Sequence, residues 1–285
     1  MAFFQNTSGT ELVRDQWPGS VARTAADELA YQQLTHQHVV PCTYEDMCEW
    51  AYVWHDARSH NFSRQFRLLH HPTPTYDQMN LRHVEITFRF QGFLGKHNLK
   101  TLGNWNGNPE RAYRASQSIE LHGGHFPEVF SAQFHAFEHV KTLVHRALLS
   151  EDELFHMLSD IGDNTEQRIA FDRRVFTKVF NPATIVDQWR ITEKLALGRR
   201  LADGTIERCN QFIFARGDFV DVAAAVDIAN VKTYRGIPGV SIQLCPRHVV
   251  QLCKAADVPT ILNVPADIAL DAVAEPSIES TGLLF

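Results

Sequence analysis

The pattern His135-Ala136-Phe137-Glu138-His139 is the part of this sequence whose residue types and spacing most directly suggest chemistry. It has the spacing H-x-x-E-H, one of the known zinc-binding patterns. On a helix, His135 and His139 would lie one turn apart on the same face, where two imidazoles can share a zinc ion. Glu138 could then activate a water molecule bound to that ion. The pattern therefore raises a zinc-dependent hydrolase as a hypothesis.

The surroundings of this pattern weaken the zinc hypothesis. A catalytic zinc needs a third protein ligand, and the acidic residues available for that role stand in no recognisable motif. They are Glu151, Glu153, Glu193 and Glu207. We therefore favour the interpretation that these histidines lie on the polar face of a helix that covers a core, with no catalytic residue, no metal and no cofactor. The zinc hydrolase is kept as the alternative.

Other motifs of known chemistry are incomplete. His122-Gly123-Gly124-His125 could be a metal-binding pair or an oxyanion loop, but the chain has no G-x-S-x-G nucleophile elbow to go with such a loop. We interpret the two glycines as a turn between a strand and a helix. The sequence also contains neither G-x-x-x-x-G-K-[ST] nor G-x-G-x-x-G, so it gives no support for nucleotide chemistry of those kinds.

A basic segment suggests a third function, nucleic-acid binding. From residue 56 to residue 114 the chain has nine Lys or Arg against four Asp or Glu, with aromatic residues among them. Salt-sensitive binding should then weaken when Arg64 and Arg67 are neutralised. However, Phe88 and Phe90 alternate with Arg89, so we expect the phenylalanines to fill the core while Arg89 faces solvent. The net charge of −6 also argues against a protein that coats nucleic acid.

The composition is that of an ordinary globular protein. The chain has 285 residues, of which 44% are hydrophobic and 21% are charged, enough for a sizeable core. Its five cysteines form no C-x-x-C pair, which favours buried thiols in a reducing compartment. The sequence shows neither a standard secretion signal nor an apolar run of membrane-helix length. We expect a cytoplasmic or virion protein that contacts no membrane.

The N-terminal part of the sequence predicts an arm followed by helices. Before Pro18 we expect an irregular arm. Pro18 suits the first turn of a helix over residues 21–34, and Thr43 is a plausible cap before a second helix over residues 49–57.

The middle of the sequence predicts strands around one long helix. Residues 84–90 alternate apolar with polar side chains, and residues 115–121 do the same, as half-buried strands do. Apolar residues at steps of three and four predict an amphipathic helix over residues 127–148. Between the two strands, Trp105 stands among turn-forming residues, so we expect it on a loop that needs a partner surface.

The remaining patterns predict a mainly antiparallel sheet. Residues 189–197, 206–214, 220–228 and 240–244 have strand patterns, and Asp203-Gly204 predicts a hairpin turn. The expected fold class is α+β, a mainly antiparallel β-barrel or sandwich with a covering amphipathic helix and a helical N-terminal region. We expect a single domain, divided into an arm at 1–17, a helical region at 18–80, a sheet-rich core at 81–250 and an acidic tail at 251–285.

This order of elements resembles the tail-tube proteins of contractile bacteriophages and the related Hcp rings of type VI secretion. The features that carry the resemblance are the N-terminal arm, the strand His83–Phe90, the strand Ser116–Leu121, the helix Pro127–Leu148 and the hairpin strands up to Ile228. No motif anchors it, and the helical N-terminal region and the acidic tail lie outside it. The resemblance implies a β-barrel protomer that stacks into hexameric rings around a channel, without catalysis.

The charge distribution independently suits assembly from identical subunits. Beyond Lys254 the chain has five acidic residues and no basic ones, whereas its middle is basic. Complementary patches at different places on one surface can join copies into rings or filaments. Candidate contact residues are Trp105, Arg111 and Arg114 on one side and Asp267 and Asp271 on the other. We therefore predict a non-enzymatic structural protein that self-assembles, with copies of itself and other virion proteins as partners.

Overall fold

The computed structural model describes residues 1–24, 34–55, 66–71, 84–153, 167–181, 186–191, 194–232 and 238–263. In these stretches the chain has a mixed α+β fold, as predicted, in which a large sheet of 11 strands is accompanied by few helices. The sheet contains both parallel and antiparallel pairs. Among the described residues, no helix has both the length and the apolar character needed to cross a membrane.

The strands are β1 (Ala2–Phe4), β2 (Val39–Val40), β3 (Ala51–His55), β4 (Phe66–His70), β5 (Thr87–Asn98), β6 (Ser116–His122), β7 (Arg168–Arg174), β8 (Phe176–Asn181), β9 (Val186–Ile191), β10 (Ala196–Arg200), β11 (Ile206–Arg208), β12 (Phe219–Lys232) and β13 (Pro238–Cys253). The helices are α1 (Val13–Gln16), α2 (Tyr44–Trp50), α3 (Pro127–Leu148) and α4 (Val258–Ile261), with 3-10 turns at Pro18–Ser20, His36–His38, Pro109–Arg114 and Gln211–Ile213.

The sheet is organised around its two longest strands, β12 and β13, which form an antiparallel pair. The strand order is β11-β10-β13-β7-β6-β5-β12-β4-β3, and β13 pairs with β12 as well as with its neighbours in that order. Strand β1 lies between β2 and β5, parallel to both. Strands β8 and β9 pair only with each other.

The predicted helix over residues 127–148 is confirmed with the same bounds as α3. Its spacing of apolar residues puts Phe130, Phe137 and Val140 on one buried face. The Phe137 ring contacts the rings of Phe88 and Phe90, at 6.2 Å and 5.7 Å between centroids. The apolar face of α3 therefore packs against β5, whose alternation the sequence also predicts.

The N-terminal predictions are only partly right. Thr43 caps a helix as expected, since its side chain accepts a hydrogen bond from the backbone N–H of Asp46, but that helix ends at Trp50. Residues 51–55 are strand β3, because their alternating side chains pair with β4 and this tertiary pairing outweighs local helix propensity.

The arm before Pro18 is also more ordered than expected. It is not irregular at Ala2–Phe4, which pairs with β2 and β5. Most of the helix predicted for residues 21–34 lies outside the described residues, as does the acidic tail beyond residue 263.

Candidate functional site

Among the described residues, the structure gives the zinc hypothesis no third ligand. His135 is exposed on α3, and the Glu138 carboxylate accepts a hydrogen bond from the Lys141 ammonium at 2.7 Å, which forms an ion pair within the helix. Of the candidate third ligands, Glu207 pairs with Arg199 at 2.8 Å. Within the described part of the chain, no group of three or more His, Cys, Asp or Glu side chains is arranged to hold a metal.

The other three third-ligand candidates give no more support. Glu153 accepts hydrogen bonds from the backbone N–H and the hydroxyl of Ser150, both at 2.9 Å, and these bonds lower the pKa of its carboxyl. Glu151 is exposed, and Glu193 lies outside the described residues.

The structure describes three of the five residues that were predicted to contact other copies of the chain. The Trp105 indole donates to the Asn108 carbonyl at 3.0 Å, and its ring contacts that of Phe176, so this tryptophan has a partner surface within its own chain. Arg111 and Arg114 are exposed on the 3-10 turn that follows. Asp267 and Asp271 lie outside the described residues.

A cleft of about 640 Å³ lies at the start of α3, beside the predicted glycine turn. Gly124 has a φ of +55° and donates its N–H to Nδ1 of His122 at 3.2 Å, as a tight turn between a strand and a helix requires. The charges of Glu120 and Arg168 in this cleft neutralise each other across 2.7 Å. The cleft thus combines this ion pair with two further charged side chains, Glu128 and Arg216.

A cavity of about 710 Å³ between the N-terminal segment and one end of the sheet is the better candidate for a binding site. We call it the N-terminal cavity. Its apolar lining residues are Phe3, Leu34, Ala196, Leu197, Ile206, Val249, Val250 and Leu252. Its polar lining residues are Thr24, His38, Arg89, Arg208 and His248. Concave, mostly apolar sites of this size, with a few polar groups, are typical of small-molecule binding.

The floor of the N-terminal cavity is one face of strands β11, β10 and β13. Strand β10 pairs antiparallel with β11 and parallel with β13, which places Arg208, Gly198 and Val250 side by side across three strands. Ala196 and His248 form the next row. Gly198 is buried, because the Ile206 side chain lies over it: a Cβ at Gly198 would come within 2.8 Å of that side chain. Ile206 therefore covers the centre of this floor with apolar surface.

The N-terminal segment forms the opposite wall. Met1 and Phe3 from the β1 region, together with Thr24, line this side. The Arg200 guanidinium at the end of β10 donates to the backbone carbonyls of Val21 and Arg23, each at 2.7 Å. These two bonds hold the N-terminal segment against the sheet.

Arg89 lies beside the cavity and does not face solvent as predicted. Its side chain is only 10% exposed and forms an ion pair with Asp221, which is 0% exposed. The expectation fails because neighbouring side chains cover Arg89 on its own face of the sheet. Phe3, its partner in register on β1, lies with its ring 4.8 Å from the Arg89 guanidinium, and Asp221 on β12 binds that guanidinium. A stacked, paired guanidinium can remain buried where a solvated one could not.

A second arginine side chain, that of Arg14, contacts the Phe3 ring. The Arg14 guanidinium carbon is also 4.8 Å from the Phe3 ring centroid, and Arg14 is buried. Burial, followed by the charge of Arg89, lowers the pKa of the Met1 amino group nearby. Phe3 is therefore in contact with two arginine side chains, one of which, Arg89, is already paired with Asp221.

The N-terminal cavity has both apolar and polar lining groups. Among its described lining residues there is no Ser, Cys, Asp or Glu, whereas Thr24, His38 and His248 are present. The lining thus offers apolar walls and cationic side chains. Such a lining can hold an organic molecule by burial and by charge.

Sequence reasoning missed this site because its residues are scattered along the chain. They come from both ends of the described chain and are assembled by the parallel β10–β13 pairing, which leaves no local pattern. One feature of the sequence could have pointed to the site: Arg89 lies in a predicted strand between Phe88 and Phe90, which the core requires. Comparison with other proteins adds no identification, since no known family model and no curated protein matches this chain.

Proposed function

We propose that this protein is a non-enzymatic binding protein that holds a small, largely apolar organic molecule in the N-terminal cavity. The observation that carries the proposal is the cavity itself, about 710 Å³ with mostly apolar walls. Transfer of apolar surface from water into such a space contributes about 25 cal/mol per Å². The apolar side chains of Ile206 and Val250 line the floor on which the ligand would lie.

The test is binding of an uncharged fluorophore, N-phenyl-1-naphthylamine, whose emission rises in apolar surroundings. Ala196 is exposed on β10 and lines the cavity, so Ala196→Trp should fill the space and abolish the rise. The matched control is Ala170→Trp on β7, which is also exposed on a strand but does not line the cavity. Equal binding by both variants, or no binding by the unmodified protein, would overturn the proposal.

We further propose that the large sheet closes into a barrel, one of the two architectures, barrel or sandwich, that the sequence predicts. Support comes from the pairings: β13-β7-β6-β5-β12 are successive neighbours, and β12 pairs with β13 again. Five strands can thus complete a ring, which removes the open edges that those strands would otherwise expose.

A second candidate function is the self-assembling ring or tube that the order of elements resembles. One observation favours it: β9 exposes Trp189 and Ile191, and it belongs to a two-stranded pair outside the main sheet. Exposed apolar side chains on such a pair are suited to contact another copy of the chain.

The mass of the protein in solution tests this second candidate. Ile191 is 51% exposed and Val84 is 50% exposed, so the two form a matched pair. If β9 joins copies, analytical ultracentrifugation should show an oligomer that Ile191→Lys dissociates and Val84→Lys does not. A monomer in the unmodified protein at every concentration would eliminate this candidate.

A further inference from the structure

We propose that the ligand of the N-terminal cavity is an aliphatic monocarboxylate of medium chain length, whose carboxylate is bound by Arg208. This inference rests on the binding function proposed above and names the ligand class of the same site. It is argued from the charges of the cavity, from the pairing of each cation and from the position of Arg208 on the edge strand of the floor.

The charged side chains of the cavity are cationic. Arg89 and Arg208 carry permanent positive charge, His38 and His248 can carry it, and no Asp or Glu is among the described lining residues. A partly enclosed site with cations of one sign attracts an anion and disfavours a cation. The apolar walls require that the rest of the ligand be hydrocarbon.

Arg89 is not the group that binds the ligand's charge. Its Nε and Nη2 donate to the two carboxylate oxygens of Asp221, at 3.0 Å and 2.7 Å. The pair is therefore neutral as a unit, and a ligand anion at Arg89 would have to compete with a buried carboxylate already in place. The Arg89 and Asp221 pair forms the inner end of the site.

Arg208, unlike Arg89, is available to bind the charge of a ligand. It is exposed on the edge strand β11, and no ion pair joins it to another described residue. Its partner in register is Gly198, and the next residue across is Val250, so Arg208 stands at the β11 side of the floor. A long arginine side chain can lie along apolar surface and keep its head at the rim.

The geometry gives the ligand an orientation. The carboxylate lies at the rim on Arg208, where a guanidinium can bind it bidentately. The hydrocarbon chain then lies on the apolar side chains of Ile206 and Val250 and runs towards the wall that Met1 and Phe3 form. A single anionic head and an unbranched apolar tail match this order of cationic rim and apolar interior.

The neighbouring Arg199 provides a matched control. It precedes Arg200 on β10, pairs with Glu207 at 2.8 Å and does not line the cavity. Because side chains alternate along a strand, Arg199 points to the face opposite Gly198. Removal of its charge changes the overall charge of the protein by the same amount as removal of the Arg208 charge.

The experiment compares dodecanoate with dodecan-1-ol as competitors of N-phenyl-1-naphthylamine on the full-length protein. We expect dodecanoate to compete at roughly 10-fold to 100-fold lower concentration than the alcohol. Arg208→Gln should remove this advantage without changing competition by the alcohol, and Arg208→Lys should keep part of it. Arg199→Gln should leave both competitors as they are in the unmodified protein.

The possible failures are distinguishable. If the fluorophore binds but the acid and the alcohol compete equally, the ligand class is wrong while the binding function stands. If Arg199→Gln weakens dodecanoate as much as Arg208→Gln does, the effect is general electrostatics and the role of Arg208 is wrong. If the fluorophore itself does not bind, the proposed function fails first.

Discussion

Arg89 on β5 and Asp221 on β12 form a diagonal ion pair, since Arg89 lies opposite Ala223 in the strand register while Asp221 lies opposite Gln91. The side-chain amide of Gln91 donates to Oδ2 of Asp221 at 2.9 Å, and Arg89 donates to both Oδ1 and Oδ2, so both oxygens of this buried aspartate have partners. A buried charge is tolerated when it is paired and hydrogen-bonded in this way. The pair joins the two central strands directly beside the N-terminal cavity.

Asp221→Asn should destabilise the protein strongly, because it leaves the Arg89 guanidinium buried without its counter-charge. We expect the free energy of unfolding to fall by about 3–5 kcal/mol in urea denaturation. The double variant Arg89→Met with Asp221→Leu should recover much of that loss. Glu138→Gln breaks a half-exposed ion pair and should cost at most about 1 kcal/mol. Equal losses for Asp221→Asn and Glu138→Gln would contradict the structural role of the buried pair.

His70 should make stability depend on pH. Burial, and then the positive charges of the Met1 amino group, His38 and His36, lower the pKa of His70 from 6.5 to about 4. As pH falls from 6.5 to 4, the unfolded chain takes up a proton on this imidazole before the folded chain does. The free energy of unfolding should therefore decrease over this window, by about 3 kcal/mol at most, and not further below pH 4.

His70→Phe is the variant that tests this pH dependence. The phenyl ring can keep the edge contact with Trp50, at 4.7 Å between centroids in the native protein, but it cannot take up a proton. Urea midpoints measured from pH 7.5 to pH 3.5 should fall less steeply for His70→Phe than for the unmodified protein. His135→Phe, at an exposed position on α3, should retain the native slope. If the urea midpoint of His70→Phe depended on pH as steeply as that of the unmodified protein, His70 would not be the group that causes the pH dependence.

Two glycines in the Trp105 loop should respond very differently to alanine. Both have positive φ, +57° at Gly103 and +90° at Gly107. A Cβ at Gly103 would lie 2.1 Å from the Ser116 carbonyl oxygen, whereas a Cβ at Gly107 would meet nothing within 4 Å. Gly107→Ala should cost about 1–2 kcal/mol for conformation alone, and Gly103→Ala about 1–3 kcal/mol more for the clash. Thermal unfolding of the two variants measures the difference, and similar melting temperatures would show that the loop relaxes.

The parts of the fold that local physics determines were predictable from sequence. The bounds of α3 follow from a long periodic apolar face, and the Asp203-Gly204 turn follows from a glycine that reaches a φ of +82°. Strand β3 was not predictable, because residues 51–55 follow a correctly capped helix and become a strand only through pairing with β4. In such a segment tertiary contacts decide between two local alternatives.

The candidate site was beyond sequence reasoning for a related physical reason. The burial of Arg89 depends on β1, a three-residue strand that is too short to give a periodic signal in the sequence. Once the Phe3 ring of β1 contacts the Arg89 guanidinium and Asp221 binds it, an arginine on the face predicted to meet solvent becomes buried. The expected contact residue Trp105 shows the same effect on a smaller scale, since its partner Phe176 is distant in sequence.

The Gln133 side chain on α3 takes the place of a pairing strand beside Gln91 of β5 and should therefore stabilise the fold. The free edge of β5 pairs with β1 at Phe88 and Arg89 and with β6 from Phe93 onward, which leaves a gap between them. The Gln133 side chain fills it, because its amide accepts from the Gln91 backbone N–H and donates to the Gln91 carbonyl, both at 2.8 Å. Loss of this amide would leave two buried backbone groups without partners, at about 1–3 kcal/mol each.

Gln133→Leu should therefore lower the free energy of unfolding by at least about 2 kcal/mol. It should also speed hydrogen exchange at the Gln91 amide, a local effect that a general loss of packing would not produce selectively. Gln243→Leu, at an exposed position on β13, is the matched control and should change neither measurement. If Gln133→Leu is destabilised but the Gln91 amide keeps its protection relative to neighbouring β5 amides, the side chain contributes packing alone and does not complete the edge of the strand.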